Sequence, residues 1–309
     1  MGESLAILLC TYNGSKFLQE QLDSFSAQSF KNWSLFIYDD GSTDNTKDLV
    51  ENYKRQSKNK VNFISNIKRI GFAKNFLNAV KNTPGNFDYY SFADQDDIWL
   101  QSKAERAVNY LKEINNTIPA LYCSRTTLID SLGNKIGHSP LFSRETSFSN
   151  SLVQSIAGGN TMVFNKAARN LIANLTLKED SCIVSHDWFM YQLVTGVGGV
   201  VHYDPHPETL YRQHGNNLVG SNNGLKARLS RFSMLLDGTF KKWNDNNIIV
   251  LKENFELLTP ENKNKLNDFI KARKCWLIPR IVGFMKCKIY RQTFLDNIVL
   301  FFGGLINKI

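Results

Sequence analysis

The sequence predicts an α/β fold, a mostly parallel sheet with helices on both faces, and three observations predict it. Short apolar runs alternate with amphipathic stretches through the first third of the chain. Several of these runs end in polar turns rich in Asn, Asp and Gly. With 309 residues, 42% of them hydrophobic and 21% charged, the chain can bury a sizeable core and is not disordered.

Residues 5–10 form an unbroken apolar run, short and without a basic flank, and read as a buried strand rather than a signal peptide. A helix over 15–28, a strand over 34–38 and a helix over 43–56 follow; Asp44 and Asp48 stand in or near the first turn of the second helix. Residues 61–64 read as a strand, 73–81 as a helix, 89–93 as a strand and 102–114 as a helix, with Lys103, Ala107 and Leu111 at helical spacing. After Pro119 the pattern loosens, leaving short strands over 121–124 and 161–164. The Asn- and Gly-rich stretch 216–224 reads as a linker, and helical patterns over 225–236, 246–258 and 261–276 lie beyond it.

The net charge of +9 is concentrated at one end. Residues 1–221 carry 21 Lys+Arg and 21 Asp+Glu, whereas residues 222–309 carry 16 and 7. A neutral catalytic or binding domain over 1–221 and a basic, mostly helical region over 222–309 are therefore expected. Five scattered cysteines, none at zinc or redox spacing, read as reduced thiols in the cytosol. No run reaches the roughly 18 apolar residues of a membrane-spanning helix.

Three polar clusters each follow a predicted strand: Thr11-Tyr12-Asn13-Gly14, Asp39-Asp40-Gly41-Ser42-Thr43-Asp44 and Asp94-Gln95-Asp96-Asp97. In an open α/β sheet, ligands bind at the carboxyl ends of the strands, so the three can converge on one crevice. Three carboxylates within four residues repel one another unless a cation neutralises them, and hard oxygen ligands suit Mg²⁺ or Mn²⁺. Ile98-Trp99-Leu100 pins the acidic turn, which disfavours a merely solvated one.

With a first strand ending in Thr-Tyr-Asn, then Asp-Asp-Gly-Ser-Thr-Asp, then Asp-x-Asp, the chain over roughly 4–215 resembles glycosyltransferase family 2. That resemblance implies the GT-A fold, a Rossmann-like mostly parallel sheet with flanking helices, here with a C-terminal helical extension. It implies a nucleotide-sugar site formed by Thr11, Tyr12, Asn13, Asp39, Asp40, Asp94 and Gln95. Asn66, Arg69 and Asn75 match a loop near the nucleotide, although an ordinary surface cation accounts equally for Arg69. Asp96 and His214 would hold Mn²⁺ or Mg²⁺, and Arg212, from Tyr211-Arg212-Gln213-His214-Gly215-Asn216-Asn217, would pair with phosphate through its planar fork. In Ser185-His186-Asp187-Trp188, Asp187 matches the base that deprotonates the acceptor hydroxyl; the alternative is a helix cap for 188–195. Gly159 and Asn160, after Gly158, and His186 and Trp188 would face the acceptor, or the glycines form a simple loop.

The same motifs look like those of rhamnosyltransferases of bacterial surface polysaccharide assembly. The donor would then be dTDP-L-rhamnose, with a UDP-hexose as the alternative, and the acceptor a glycan or lipid-linked glycan. Residues 275–309 mix apolar clusters with Arg280, Lys286, Lys288 and Arg291, which suits the cytoplasmic face of the inner membrane beside anionic lipid, or else packing on the catalytic domain or in a homodimer. A nucleotidyltransferase is disfavoured because the first loop lacks a basic triphosphate-binding run. A nucleic-acid partner is not expected, since the basic tail lacks an aromatic-lined groove.

Overall fold

The computed structural model describes residues 2–178, 181–214 and 233–309. The linker stretch 216–224 and most of 225–236 lie outside the described residues, as do Gly215, Asn216 and Asn217. The chain forms two compact units. The first comprises residues up to 139, 157–174 and from 202; the second comprises 140–156, 175–201 and the chain beyond 220.

The first unit is a nine-stranded sheet with helices. Its strands are β1 (Leu5–Thr11), β2 (Trp33–Asp39), β3 (Val61–Ser65), β4 (Tyr89–Ala93), β5 (Ile98–Trp99), β6 (Ala120–Ile129), β7 (Lys135–His138), β8 (Val163–Asn165) and β9 (Val200–Arg212). They run in the order β3-β2-β1-β4-β8-β6-β9-β5, with β7 on β6. All seven residues of β1 are buried, as a central parallel strand covered on both faces requires. β1 pairs in parallel with β2 and β4, and β2 with β3, so Thr11, Asp39, Ser65 and Ala93 end at one edge.

The sheet is mixed rather than mostly parallel: β8 pairs antiparallel with β4 and β6, β7 with β6, and β5 with β9. Short connections such as the one between β6 and β7 carry no crossover helix, and only antiparallel neighbours can be joined that way. The helices are α1 (Leu18–Ser26), α2 (Thr46–Gln56), α3 (Phe72–Asn82), α4 (Lys103–Leu111) and, after the short α5 (Phe148–Ser151) of the other unit, α6 (Lys166–Ala173). α1 and α2 each start three residues later than their patterns suggest. The backbone ahead of them is held in the strand-end loops instead: Ser15 N–H donates to Asp44 (3.0 Å) and Thr43 N–H to Asn13 Oδ1 (2.8 Å).

The second unit is helical: α5, α7 (His186–Gly196), α8 (Thr239–Glu253), α9 (Pro260–Lys274), α10 (Leu277–Lys286) and α11 (Phe294–Leu305). Its core gathers Phe148, Leu152, Leu251, Leu266, Phe269, Phe284 and Leu300. Every α7 residue except Asp187 is buried, and the Asn262 amide donates to the carbonyls of Thr195 and Gly196 at its end (both 3.0 Å). Two glycines set helix spacing: a Cβ on Gly283 would lie 2.5 Å from Ala272 Cβ, and one on Gly304 would lie 2.8 Å from the Phe284 ring.

Candidate functional site

The parallel strand ends of the first unit deliver their loops to one edge, where side chains bind loop to loop. Gln95 Oε1 accepts from Thr11 Oγ1 (2.7 Å) and from Tyr12 N–H (2.8 Å), joining the turn after β4 to the turn after β1. Asn13 takes a left-handed backbone (φ 48°), which asparagine tolerates, and its N–H donates to Ser42 Oγ (2.8 Å). A Cβ on Gly14 would lie 2.4 Å from Gln95 Oε1, so only glycine lets the Gln95 clamp close.

Asp39 and Asp40 are both buried, and their carboxylates are spent on backbone. Asp39 accepts from Gly41 and Ser42 N–H and from the Ser42 and Ser65 hydroxyls. Asp40 accepts from the N–H groups of Ile70 (2.9 Å) and Gly71 (2.8 Å) and from the Asn66 amide (3.1 Å). Asn66 also donates to Asn75 Oδ1 (3.0 Å), whose amide in turn reaches the Tyr38 carbonyl (2.8 Å). The 66–71 loop is thereby fixed with the guanidinium of the exposed Arg69 3.9 Å from the centre of the Tyr12 ring, a cation–π contact.

The acidic turn meets the end of β9 because β5 pairs with β9, Ile98 opposite Leu210. His214 Nε2 lies 2.7 Å from Asp96 Oδ2, and both side chains are partly open to solvent. Arg212 is 1% exposed, and its guanidinium donates to the Asp96 carbonyl (2.9 Å) and to Glu20 (2.7 Å) while lying over the Phe17 ring. The resemblance implies a phosphate-facing fork; in the fold that fork braces the acidic turn.

By sequence Asp97 is one carboxylate of a crowded turn, and the fold gives it a place of its own. It is fully buried and accepts from the Asn160 amide (2.5 Å) and from Arg212 N–H (3.1 Å). Burial first, then the charge of Asp96, pushes its carboxyl up to about 7, against those two hydrogen bonds and the nearby Lys103. Lys103 is buried with its ammonium 3.1 Å from the centre of the Trp99 ring, and burial drives it well below the ordinary lysine range. The signal for Lys103 was its position on the inward face of α4, which reads as packing in a sequence. Asn160, expected to face an acceptor, is 2% exposed and turned onto Asp97; with Gly159 it forms the short 3₁₀ turn Gly159–Thr161.

Ser185-His186-Asp187-Trp188 lies in the second unit. Ser185 stands at the N-cap of α7, and Asp187 is the second helical residue, half-buried, with Oδ1 accepting from Trp188 N–H (2.7 Å). A carboxylate in a first turn is favoured by the helix dipole. His186 is buried, and burial brings its pKa down to about 4 despite the opposing charge of Asp187, so the ring is neutral at physiological pH. Trp188 donates through Nε1 to the Ser151 carbonyl (2.6 Å) inside the unit.

Asp96 and His214 bring a carboxylate oxygen and an imidazole nitrogen side by side, and of the two donors it is the carboxylate that suits Mn²⁺ or Mg²⁺. No cluster of three His, Cys, Asp or Glu residues that could hold a metal ion occurs among the described residues.

At one edge of the mixed sheet, an acidic turn is thus joined through Gln95 to the Tyr12 turn. Residues 6–171 match the family model described as glycosyl transferase family 2, and the chain belongs to that family. It is a nucleotide-sugar-dependent glycosyltransferase. Among curated relatives, the dTDP-rhamnosyl transferase RfbG of Shigella flexneri is 31% identical over 247 residues, 76% of this chain and 81% of that protein. Among solved structures, S. aureus TarS 1–349 in complex with UDP-GlcNAc matches with TM-score 0.54 and 15% identity over 92% of this chain and 80% of that one; of the longer TarS chain the match spans 43%. The mannosyltransferase PcManGT of Pyrobaculum calidifontis, in complex with GDP-Man and Mn²⁺, matches with TM-score 0.52 and 13% identity over 100% of this chain and 86% of that one.

Proposed function

We propose that this transferase moves L-rhamnose from dTDP-L-rhamnose to a glycan or lipid-linked glycan acceptor, with inversion, in assembly of bacterial surface polysaccharide such as O-antigen or capsule. The observation that carries the reading is the Asp96–His214 pair at 2.7 Å beside the Gln95-clamped Thr11-Tyr12 loop. The likeness to the Shigella flexneri rhamnosyl transferase supports rhamnose over a UDP-hexose.

In this reading Tyr12, backed by Arg69, receives the nucleotide base, with Thr11 and Asn13 beside it. Asp39, Asp40 and Asn75 act at one remove, by fixing the loops, and Asp94 takes the ribose. Asp96 and His214 hold Mn²⁺ or Mg²⁺, whose charge, when bound, stabilises the leaving diphosphate. Arg212 and Asp97 keep the acidic turn in place. Asp187 accepts the proton of the acceptor hydroxyl as its oxygen bonds to the anomeric carbon and the bond from that carbon to the diphosphate breaks. Mg²⁺ or Mn²⁺, a donor and an acceptor are thus the required partners, and the reaction runs on the cytoplasmic face of the inner membrane.

The test is calorimetric titration of the full chain with dTDP-rhamnose, UDP-galactose, UDP-glucose and UDP-GlcNAc, in Mn²⁺ and again in EDTA. Metal-dependent binding of dTDP-rhamnose in preference to the UDP sugars is expected. Preference for a UDP sugar overturns the donor, and binding indifferent to EDTA overturns the metal site.

A further inference from the structure

No described helix is long and apolar enough to cross a membrane, yet the C-terminal pair α10 and α11 leaves large apolar side chains in water. On α10, Ile278, Val282 and Met285 are 74%, 59% and 64% exposed, spaced four and three residues apart, and Trp276 just before the helix is 71% exposed. On α11, Phe294 and Ile298, four apart, are 80% and 52% exposed. The opposite sides of the same helices are committed: Phe284 and Leu300 are fully buried, and Gly304 touches Phe284. Each helix is therefore amphipathic, with its second apolar stripe unused by its own unit. Soluble monomers rarely leave so much contiguous apolar surface without a partner.

Charge selects the partner. Residues 271–309 contain eight Lys and Arg but one acid, Asp296. That acid is occupied at the N-cap of α11, where Thr293 Oγ1 donates to it (2.7 Å). Lys271, Lys274 and Lys288, in and between the C-terminal helices, are exposed, as is Lys286, which lies 3.4 Å from Asp268. A second copy would bring the same cationic surface against itself, which opposes pairing. An anionic lipid surface complements both features: apolar side chains enter the acyl boundary while lysines meet the headgroups. With 10 and 12 residues the helices are about 15 and 18 Å long, well short of the roughly 30 Å hydrocarbon layer, so they can lie on a bilayer but not span it.

We propose that the exposed stripes of α10 and α11, with Trp276 and the surrounding lysines, form an interfacial surface that docks on anionic bilayers. This deepens the membrane placement in the proposed function and names the residues and lipid chemistry that produce it.

The test is co-sedimentation of the full chain with phosphatidylcholine vesicles, with and without about 30% phosphatidylglycerol, at low and high salt. Expected is binding to the anionic vesicles only, weakened at least about tenfold by high salt. Ile278→Glu with Ile298→Glu should cut it at least about tenfold, and Lys274→Gln with Lys288→Gln should cut it severalfold. All four positions are exposed, so both variants are expected to fold, and dTDP-rhamnose binding in Mn²⁺ should match the parent. Equal retention on neutral vesicles, no retention on either, or a double-Glu variant that binds like the parent overturns the proposal. So does a concentration-dependent dimer by light scattering that the double-Glu change abolishes. Lost vesicle binding with intact donor binding removes only this inference, and the converse removes only the donor assignment.

Discussion

Asn160→Ala removes the shorter of the two hydrogen bonds that hold the buried Asp97 carboxylate. Above its raised pKa of about 7 Asp97 is ionised, and at pH 8 or above a hydrogen bond to such a charged buried group is worth about 1.5–3 kcal/mol, with an added desolvation cost when its acceptor is left unpaired. Asp97 is 0% exposed and water cannot replace the amide without local opening, so the upper end applies: a loss of about 3 kcal/mol in folding free energy. Asp97→Ala alone should cost a similar amount, because it takes the acceptor from the Asn160 amide and from Arg212 N–H. When both are removed the Asn160–Asp97 penalty is not counted twice and only the Arg212 N–H contact is still lost, so the double variant should cost less than the sum of the two, with a coupling of about 1.5–3 kcal/mol. The same strut holds the turn that carries Asp96. Loss of an outer-shell partner of this kind weakens metal binding about 10–100-fold, so Mn²⁺ affinity should fall by that factor in Asn160→Ala. Urea denaturation of the four proteins measures the coupling, and Mn²⁺ titration of the folded proteins measures the second effect. Additivity within about 0.5 kcal/mol, or unchanged Mn²⁺ affinity in a destabilised Asn160→Ala, would refute the strut.

Asp187→Asn should leave donor affinity within twofold while lowering kcat by about 10²–10⁴, measured by calorimetry and a transfer assay; unchanged turnover would remove the base. Gly14→Ala should push Gln95 off Thr11 and Tyr12 and weaken donor binding at least about tenfold, an outcome excluded if calorimetry finds parental affinity. Burial pushes the Asp44 carboxyl up, but hydrogen bonds from Ser15 and Thr46 outweigh it and bring the group down to about 2. Its folded value lies below the unfolded one, so its stabilisation is present above about pH 4 and is lost as pH falls towards 2. After solvent screening this amounts to about 1 kcal/mol, and the gap in melting temperature between the parent and Asp44→Asn should close over that range. For His186, burial against the opposing Asp187 lowers the value to about 4, so stability is full above about pH 6.5 and falls as the pH drops towards 4. His186→Phe should flatten that decline in circular-dichroism melts, and an unchanged pH profile would show that the ring titrates freely.

The strands and the polar turns that end them were determined by the sequence alone. A run such as Leu-Ala-Ile-Leu-Leu-Cys can be satisfied only by burial on both faces, and Asn13 and Asp39 sit where local backbone chemistry favours such residues. Helix starts were less legible. Thr43 and Ser15 look helical by pattern, but their N–H groups are claimed by side chains about 30 residues away. The antiparallel half of the sheet depends on which strand finds β8 and β9, and no local pattern encodes that choice. Only the tertiary structure brought His214 to Asp96, 118 residues away, because the β5–β9 register sets that distance. It turned Asn160 inward onto Asp97 and seated Arg212 on Glu20, 192 residues earlier, instead of leaving it free for a phosphate. Hydrophobic pattern and turn chemistry are properties of neighbours along the chain. The partner of a buried charge is decided by desolvation, which depends on everything that packs around it.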